Sequence, residues 1–205
     1  STTCNVTHHE KWVRAPRVDV EIPLTESTTT FSSPYGGLVY LIVPENNKDG
    51  ASSVTCSLRG VVAAGWFKVG RDALMSWPAM KRAPAPWVEI ASDKVILTVP
   101  REVVQGVDNP VALMAFWDQV ADADAHLTAI PTVRRSPERF VSDVQLCVGW
   151  MHAGYPIMIP AVTAKEIVDL PKLRKEGDWG FFHELGHNHQ RSEERRVGKE
   201  CRSRW

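Results

Sequence analysis

WGFFHELGHNH, residues 179–189, holds an HExxH motif at its centre. On a helix, residues four apart lie on one face, so His183 and His187 point their imidazoles at one place and can hold one zinc ion. Glu184 lies beside that pair, where its carboxylate can take a proton from a water molecule that the metal activates. The motif therefore predicts a zinc-dependent hydrolase, and peptide bonds are the usual substrate of this arrangement.

Apolar residues around the motif predict that one side of its helix is buried. Trp179, Phe181, Phe182 and Leu185 supply the apolar face, and Asp178 is placed as the N-cap. This context favours the zinc site over the alternative, which is a surface helix with two unrelated histidines.

The last fifteen residues, 191–205, read RSEERRVGKECRSRW and resemble the in-frame translation of a common sequencing adapter. We interpret them as a non-native tail and exclude them from fold reasoning. The alternative is a genuine basic helical tail. A catalytic zinc of this type takes three protein ligands, and the third normally follows the motif along the chain. We therefore expect the third metal ligand to be absent from this chain, which would make it an inactive fragment of a longer protein.

The charge balance of the chain gives no sign of a nucleic-acid partner. The whole chain has 24 basic and 24 acidic residues, and without the six basic and three acidic residues of the tail these become 18 and 21, a net charge of −3. A mildly acidic surface does not suit nucleic acid or an anionic membrane. No apolar run approaches the roughly 20 residues of a membrane span. Because Ser1 stands where an initiator Met would, we expect the start to be truncated too, and the localisation stays open.

The chain divides into four segments by pattern. Residues 1–70 alternate apolar and polar side chains between turn-forming clusters, which predicts several short strands and a partial β-sandwich domain. Residues 71–88 are rich in Trp, Pro and Ala and are interpreted as an ordered crossing segment. Residues 89–190 are expected to form the N-terminal part of a catalytic domain, and residues 191–205 the non-native tail.

The predicted elements after residue 90 are a strand, a helix, a second strand, a short helix and the motif helix. The first strand covers 94–99 and is stopped by Pro100, and a helix follows over 111–127 with Asn109 as its cap and Pro110 in its first turn. The second strand is expected at 141–148, and the short helix at 164–170 with Thr163 as its cap. The fold class is therefore α+β, with a β-sandwich portion followed by a truncated α/β catalytic domain of the zincin type.

His152 and Tyr155 are candidate substrate-binding residues. They lie in Gly-Trp-Met-His-Ala-Gly-Tyr-Pro, residues 149–156, shortly before the motif helix. A strand beside the cleft of a zinc peptidase can bind substrate backbone by strand addition, and a nearby His or Tyr can donate to the oxyanion. The alternative is a turn packed around Trp and Tyr with no catalytic part.

Four separated blocks of the chain resemble the enhancin-like metallopeptidases, the sixtieth metallopeptidase family. The blocks are GGLVYLIVP at 36–44, APW at 85–87 with ILTVP at 96–100, DVQ at 143–145 with GWMHAGYPIM at 149–158, and WGFFHELGHN at 179–188. Viral enhancins and bacterial mucinases belong to this family. The TRP-channel-associated factors of vertebrates carry a related domain, and the resemblance is strongest to that branch.

The resemblance implies a zinc peptidase of the gluzincin type, with His183 and His187 as ligands and Glu184 as the catalytic base. The third ligand of the family is a downstream Glu, which this chain does not reach. The microbial branch implies a polypeptide or glycoprotein substrate, such as a mucin. The vertebrate branch implies the alternative, which is a non-catalytic peptidase-like module that binds and regulates a membrane channel.

Overall fold

Five strands form one mixed sheet in the order β1–β2–β3–β4–β5. In the computed structural model, which describes residue 13 and residues 20–43, 54–146 and 149–190, β1 and β2 run parallel, β2 and β3 antiparallel, and β3, β4 and β5 parallel. The strands are β1 (Gly65–Lys68), β2 (Trp87–Ala91), β3 (Val95–Pro100), β4 (Glu138–Asp143) and β5 (Ile157–Pro160).

Four α-helices accompany the sheet in the described part of the chain. They are α1 (Trp77–Met80), α2 (Pro110–Leu127), α3 (Leu170–Glu176) and α4 (Trp179–His189). Short 3₁₀ turns cover Leu74–Ser76, Arg101–Val104 and Ala161–Thr163. No helix among the described residues combines the length and the apolar character needed to cross a bilayer.

Helix α2 forms where the sequence predicts it. The side chain of Asn109 accepts a hydrogen bond from the Ala112 N–H (2.9 Å), and Pro110 occupies the first turn, where its missing N–H costs nothing. The helix buries one stripe at three- and four-residue spacing, which packs on the sheet. The buried residues are Pro110, Leu113, Met114, Trp117, Ala121 and Ala125.

The motif helix α4 also begins where predicted, at the N-cap Asp178, whose carboxylate accepts from the Phe181 N–H (3.2 Å). Phe181 and Leu185 are fully buried against α2 and the sheet. The Trp117 ring lies 5.3 Å from the Phe140 ring of β4 and 6.1 Å from the Phe181 ring of α4, measured between ring centroids. Trp117 thus joins α2, the sheet and the motif helix.

Two predicted elements are shifted along the chain. The strand expected at 141–148 is β4, which covers Glu138–Asp143. After it, the Asp143 carboxylate accepts a hydrogen bond from the Gln145 N–H (3.2 Å), which is typical of a turn. Residues 147 and 148 lie outside the described residues. The prediction of a helix at 164–170 is wrong. Thr163 donates to the Pro160 carbonyl (2.9 Å) and does not cap a helix. Asp169 supplies the cap, and α3 begins one residue later.

The sequence patterns missed β2 and β5 altogether. Both are short, with Pro86 before β2 and Pro156 before β5, and proline flanks are typical of loops. The sheet supplies the missing information: each of these strands pairs with a long strand, β3 or β4, over four or five residues. The strand β3 was predicted correctly to within a residue.

The predicted β-sandwich of residues 1–70 is not confirmed. Among the described residues 20–43 and 54–70, the strand is β1, and it joins the sheet of the later residues. Residues 20–43 and 54–64, part of the stretch predicted to form several short strands, are described without strand structure. The predicted non-native tail, 191–205, lies outside the described residues, and the division into four segments stays a prediction.

Gly65 in β1 generates a stability test. A β-carbon at this position would lie 2.4 Å from the Met80 carbonyl oxygen and 3.1 Å from a methyl of Val88. Since the first contact is with backbone, we expect Gly65→Ala to push α1 off the sheet and to lower the free energy of unfolding by about 1–3 kcal/mol. Urea denaturation followed by tryptophan fluorescence measures this.

Gly106→Ala is the matched control. A β-carbon there meets nothing within 4 Å, so this variant should stay within about 0.5 kcal/mol of the parent chain. Equal stability losses in the two variants would show that β1 and α1 do not pack as described.

Candidate metal centre

The core packing of α4 directs two histidines away from the sheet. Phe181, Leu185 and His189 are spaced four apart and are buried, so they form the inner stripe of the helix. His183 and His187 lie two residues from these positions, on the opposite side of the helix, and are half-buried. The amphipathic pattern of the helix therefore fixes which residues can reach solvent and a bound ion.

His183 and His187 converge on one point. Their Nε2 atoms lie 2.9 Å apart, and the two ring centroids are 4.4 Å apart with an interplanar angle of 78°. Two nitrogens that each lie about 2.0–2.1 Å from one tetrahedral zinc are about 3.3 Å apart. A spread of a few tenths of an ångström, within reach of small side-chain rotations, thus suits the pair to one zinc ion.

Neighbouring side chains hold both rings in place. Gln190 Oε1 lies 3.2 Å from His187 Nδ1, which leaves Nε2 of His187 to face His183. The Trp179 ring stacks on the His183 ring at 5.4 Å between centroids. A hydrogen bond to the second ring nitrogen sets the tautomer of a metal-binding histidine. Gln190 makes such a bond to His187, and no sequence pattern predicted it.

Glu184 presents a carboxylate next to the histidine pair. It is half-buried, and among the described residues no hydrogen-bond donor or cation pairs with it. One turn before it, a β-carbon on Gly180 would lie 3.0 Å from the Met151 sulfur. One turn after it, Asn188 bonds to Gly154. Residues 180, 184 and 188 share one face, so Glu184 faces the segment 149–156, which we call the strap.

The strap continues beside the edge strand β5. His152 and Met158 exchange two backbone hydrogen bonds (3.0 and 3.2 Å) in an antiparallel bridge. The His152 Nδ1 atom lies 3.1 Å from the Ala153 carbonyl oxygen, and Nε2 is buried and has no protein partner among the described residues. His152 thus keeps one ring nitrogen available.

Tyr155 takes a different position from His152. Its side chain is exposed and hydrogen-bonds to Arg139 of β4. Arg139 points to the face of the sheet opposite to Phe140, because side chains alternate along a strand. The structure therefore brings His183, Glu184 and His187 together on α4 beside the strap, and it turns Tyr155 away from them.

Asn188 makes three side-chain hydrogen bonds that no sequence pattern predicted. Its Nδ2 donates to Glu138 Oε2 (2.7 Å) and to the Gly154 carbonyl (2.9 Å), and its Oδ1 accepts from the Gly154 N–H (3.0 Å). Glu138 also forms an ion pair with Arg134. The partners of Asn188 lie 34 and 50 residues away, so no local pattern could find them. The one available signal was its position, four residues after Glu184.

No third His, Cys, Asp or Glu completes a metal-ligand cluster within the described ranges. His189 is unsuited, since it is 2% exposed and its Nδ1 bonds to the Leu185 carbonyl of its own helix (2.9 Å). His189 also lies two residues after His187, which directs it to the other side of the helix from the histidine pair.

Asp124 of α2 lies beneath the motif helix near Gly186 and His189. One of its carboxylate oxygens is buried without a hydrogen-bond partner in the described structure. Burial raises the pKa of this carboxyl, and the nearby His189 acts in the opposite direction. The contact between α2 and α4 therefore contains a carboxylate that is poorly stabilised when ionised.

The fold is a mixed sheet with α2 and the motif helix α4 packed on one face. Two solved structures share it: a metallopeptidase in complex with Tn antigen (TM-score 0.53, 19% identity, 62% of this chain and 25% of that chain) and a metallopeptidase from Bacteroides thetaiotaomicron (TM-score 0.52, 18% identity, 62% and 23%). At these identities, the likeness establishes the fold.

The chain belongs to the peptidase family M60, enhancin and enhancin-like, whose family model matches residues 60–199. Residues 1–57 match the N-terminal domain of M60-like peptidases. The match to the peptidase family runs past Gln190 into the segment interpreted as a tail, so the boundary of that tail stays a prediction.

TRPM8 channel-associated factor 1 of Homo sapiens is 42% identical over 192 residues, which is 93% of this chain and 21% of the relative. The chain thus spans about a fifth of the length of the curated relatives it matches. The expected likeness to channel-associated factors is confirmed at the level of family and relatives.

Asp124 generates a pH-dependence test. A raised pKa in the folded state means that the folded chain holds this proton more tightly than the unfolded chain. The stability from this carboxyl is therefore full below about pH 4, the ordinary Asp pKa, and is lost as the pH rises through the raised value. Asp124→Asn, which cannot ionise, should gain stability relative to the parent chain between pH 4 and pH 7.5.

Urea denaturation at both pH values measures the difference between Asp124→Asn and the parent. Asp108→Asn is the control, because Asp108 is exposed and should show no such trend. A difference for Asp124→Asn that does not change with pH would contradict the burial of this carboxylate under α4.

Proposed function

We propose that this chain is part of a zinc-dependent endopeptidase of the enhancin-like type. The observation that carries the proposal is the convergence of His183 and His187 Nε2 atoms at 2.9 Å beside the unpaired carboxylate of Glu184. Zinc held there supplies a Lewis acid that activates water and polarises a carbonyl. His183 and His187 are the proposed ligands, with the third outside the described residues.

Each residue of the site has a proposed task. Glu184 accepts a proton from the attacking water and delivers it to the leaving amine, since its carboxylate is committed to no other partner. Gln190 keeps the proton of His187 on Nδ1, so that the lone pair of Nε2 faces the ion. With two protein ligands alone, zinc is held weakly, and the chain by itself is proposed to be inactive.

The strap is the proposed binding edge for an extended substrate. It runs beside the edge strand β5 and along the Glu184 face of α4, where strand addition can align a peptide. His152 is the proposed donor to the oxyanion through Nε2, which donates when both ring nitrogens carry a proton, since Nδ1 already faces the Ala153 carbonyl. Tyr155 is proposed to act at the rim of the groove, where it lines a depression of about 450 Å³ with Arg134, Glu138, Gly154 and Asn188.

Glycoproteins are the proposed substrate class. Support comes from the structural relative that was solved in complex with Tn antigen. Nothing in the charge of the chain favours a nucleic-acid substrate, since basic and acidic residues balance at 24 each.

Glu184→Gln tests the peptidase proposal. The amide cannot accept the proton of the water, while both histidines remain, so we expect the complete protein to lose about 10²–10⁴-fold in kcat and to keep its zinc. A fluorogenic glycopeptide assay measures turnover, and mass spectrometry under native conditions measures zinc.

Glu176→Gln in α3 is the control for this experiment, because Glu176 is exposed and pairs with Lys175 away from the site. Full turnover by Glu184→Gln would exclude Glu184 as the base. Loss of zinc in the same variant would mean that Glu184 is a ligand instead.

Binding and regulation of a membrane channel is the second candidate function, favoured by the 42% identity to TRPM8 channel-associated factor 1. In this case, the peptidase fold serves as a docking module. We expect the complete protein to co-purify with the TRPM8 channel in detergent, and Glu184→Gln to leave that association unchanged, because docking needs no proton transfer. Absence of co-purification, with channel and protein both folded, would reject this candidate.

A further inference from the structure

We propose that Asn188 is a positioning residue that holds the strap, and hence the substrate, at the level of Glu184. This inference rests on the proposed peptidase function. It goes further in assigning a task to the residue that follows the HExxH motif, and it predicts a structural effect that can be measured without turnover.

The side chain of Asn188 hydrogen-bonds to the backbone of Gly154 as a neighbouring strand would. Its Oδ1 accepts from the Gly154 N–H at 3.0 Å, and its Nδ2 donates to the Gly154 carbonyl at 2.9 Å. One amide group thus satisfies both backbone groups of a single residue. This two-point contact fixes the orientation of the peptide unit as well as its distance from α4.

The second hydrogen of Nδ2 is also used. It is donated to Glu138 Oε2 at 2.7 Å, and Glu138 is 6% exposed and forms an ion pair with Arg134. A charged acceptor makes this the strongest of the three bonds. Glu138 therefore fixes the rotamer of Asn188 against the first residue of β4, and the sheet as well as the helix determines where the strap lies.

The backbone of Gly154 is adapted to this contact. Its φ of +136° lies in a region that residues with a β-carbon rarely adopt. The strap can turn its N–H and carbonyl toward Asn188 because a glycine stands there.

We call the contacts of Asn188 with Gly154 and Glu138 the clamp. It lies one helical turn from Glu184, the proposed base. The strap touches α4 at Gly180 through Met151 and at Asn188 through Gly154, and Glu184 lies midway between these two contacts. The contact between Met151 and Gly180 is a van der Waals contact with a flexible side chain. The directional hydrogen bonds between the strap and α4 are therefore those of Asn188. Its loss should let the strap move away from Glu184 while the histidine pair keeps its geometry.

The first experiment measures hydrogen–deuterium exchange at the Gly154 amide in this chain. Asn188→Ala should speed exchange of that amide roughly tenfold, as expected for loss of a hydrogen bond in a partly exposed segment. Asn109→Ala is the matched control, because it removes an Asn bond to backbone at the N-cap of α2. Unchanged Gly154 exchange in Asn188→Ala, or equal acceleration in Asn109→Ala, would overturn the proposal.

A double variant at positions 188 and 138 distinguishes loss of the hydrogen bond from a general folding defect. Asn188→Asp keeps the acceptor for the Gly154 N–H but places a carboxylate against Glu138, so it should speed Gly154 exchange at pH 7. Adding Glu138→Gln restores a donor–acceptor pair with the amide now at position 138. The double variant regains the 138–188 hydrogen bond but leaves the Gly154 carbonyl without its donor, so its Gly154 exchange rate should fall between those of Asn188→Asp and the parent chain. A double variant that exchanges as fast as Asn188→Asp would count against the clamp.

Kinetics on the complete protein separate the clamp from the proposed function. If the strap positions substrate, Asn188→Ala should lower kcat/KM about 10- to 100-fold with unchanged zinc content. Full kcat/KM alongside faster Gly154 exchange would show that the clamp does not position substrate. A complete parent protein without any peptidase activity would refute the proposed function, and the exchange experiment would still decide whether Asn188 holds the strap.

Discussion

The burial of the Trp117 indole between α2, the sheet and the motif helix is the interaction on which the site depends. The indole is fully buried, packs on Phe140 and Phe181, and donates its N–H to the Ile167 carbonyl at 3.1 Å. This bond also fixes the loop before α3. Because Phe181 of α4 packs on Trp117, the two histidines on the opposite side of the helix must face outward. The metal-binding geometry thus follows from core packing.

A second set of contacts lies on the opposite face of the sheet and reaches the N-terminal residues. Glu89 and Arg139 form an ion pair, and Thr98 and Tyr40 donate to Glu89. Burial raises the pKa of the Tyr40 hydroxyl, so it stays protonated and keeps donating. A buried ion pair adds little net stability, but it leaves few alternative arrangements. These residues therefore anchor Tyr40 on this face of the sheet, and Arg139 extends the contacts to Tyr155 in the strap.

Local signals predicted the parts of the structure that local physics determines. The N-caps Asn109 and Asp178 and the apolar spacing of α2 and α4 were readable, because a cap and its target lie within three residues. The convergence of the two histidines followed from helical spacing. The strands β2 and β5 and the contacts of Asn188 were not readable, because they depend on partners across the sheet or 34 to 50 residues away. The position of Tyr155 likewise depends on Arg139, which no spacing rule relates to it.

The treatment of carboxylates across the domain bears on the proposed peptidase function. Glu89 and Glu138, the two glutamates that are buried among the described residues, are each paired with an arginine and accept from a further donor. Glu184 is half-buried beside two imidazoles and has no such partner in the described structure. A base that must accept a proton has to remain uncommitted, and the environment of Glu184 meets this requirement of the peptidase that we propose.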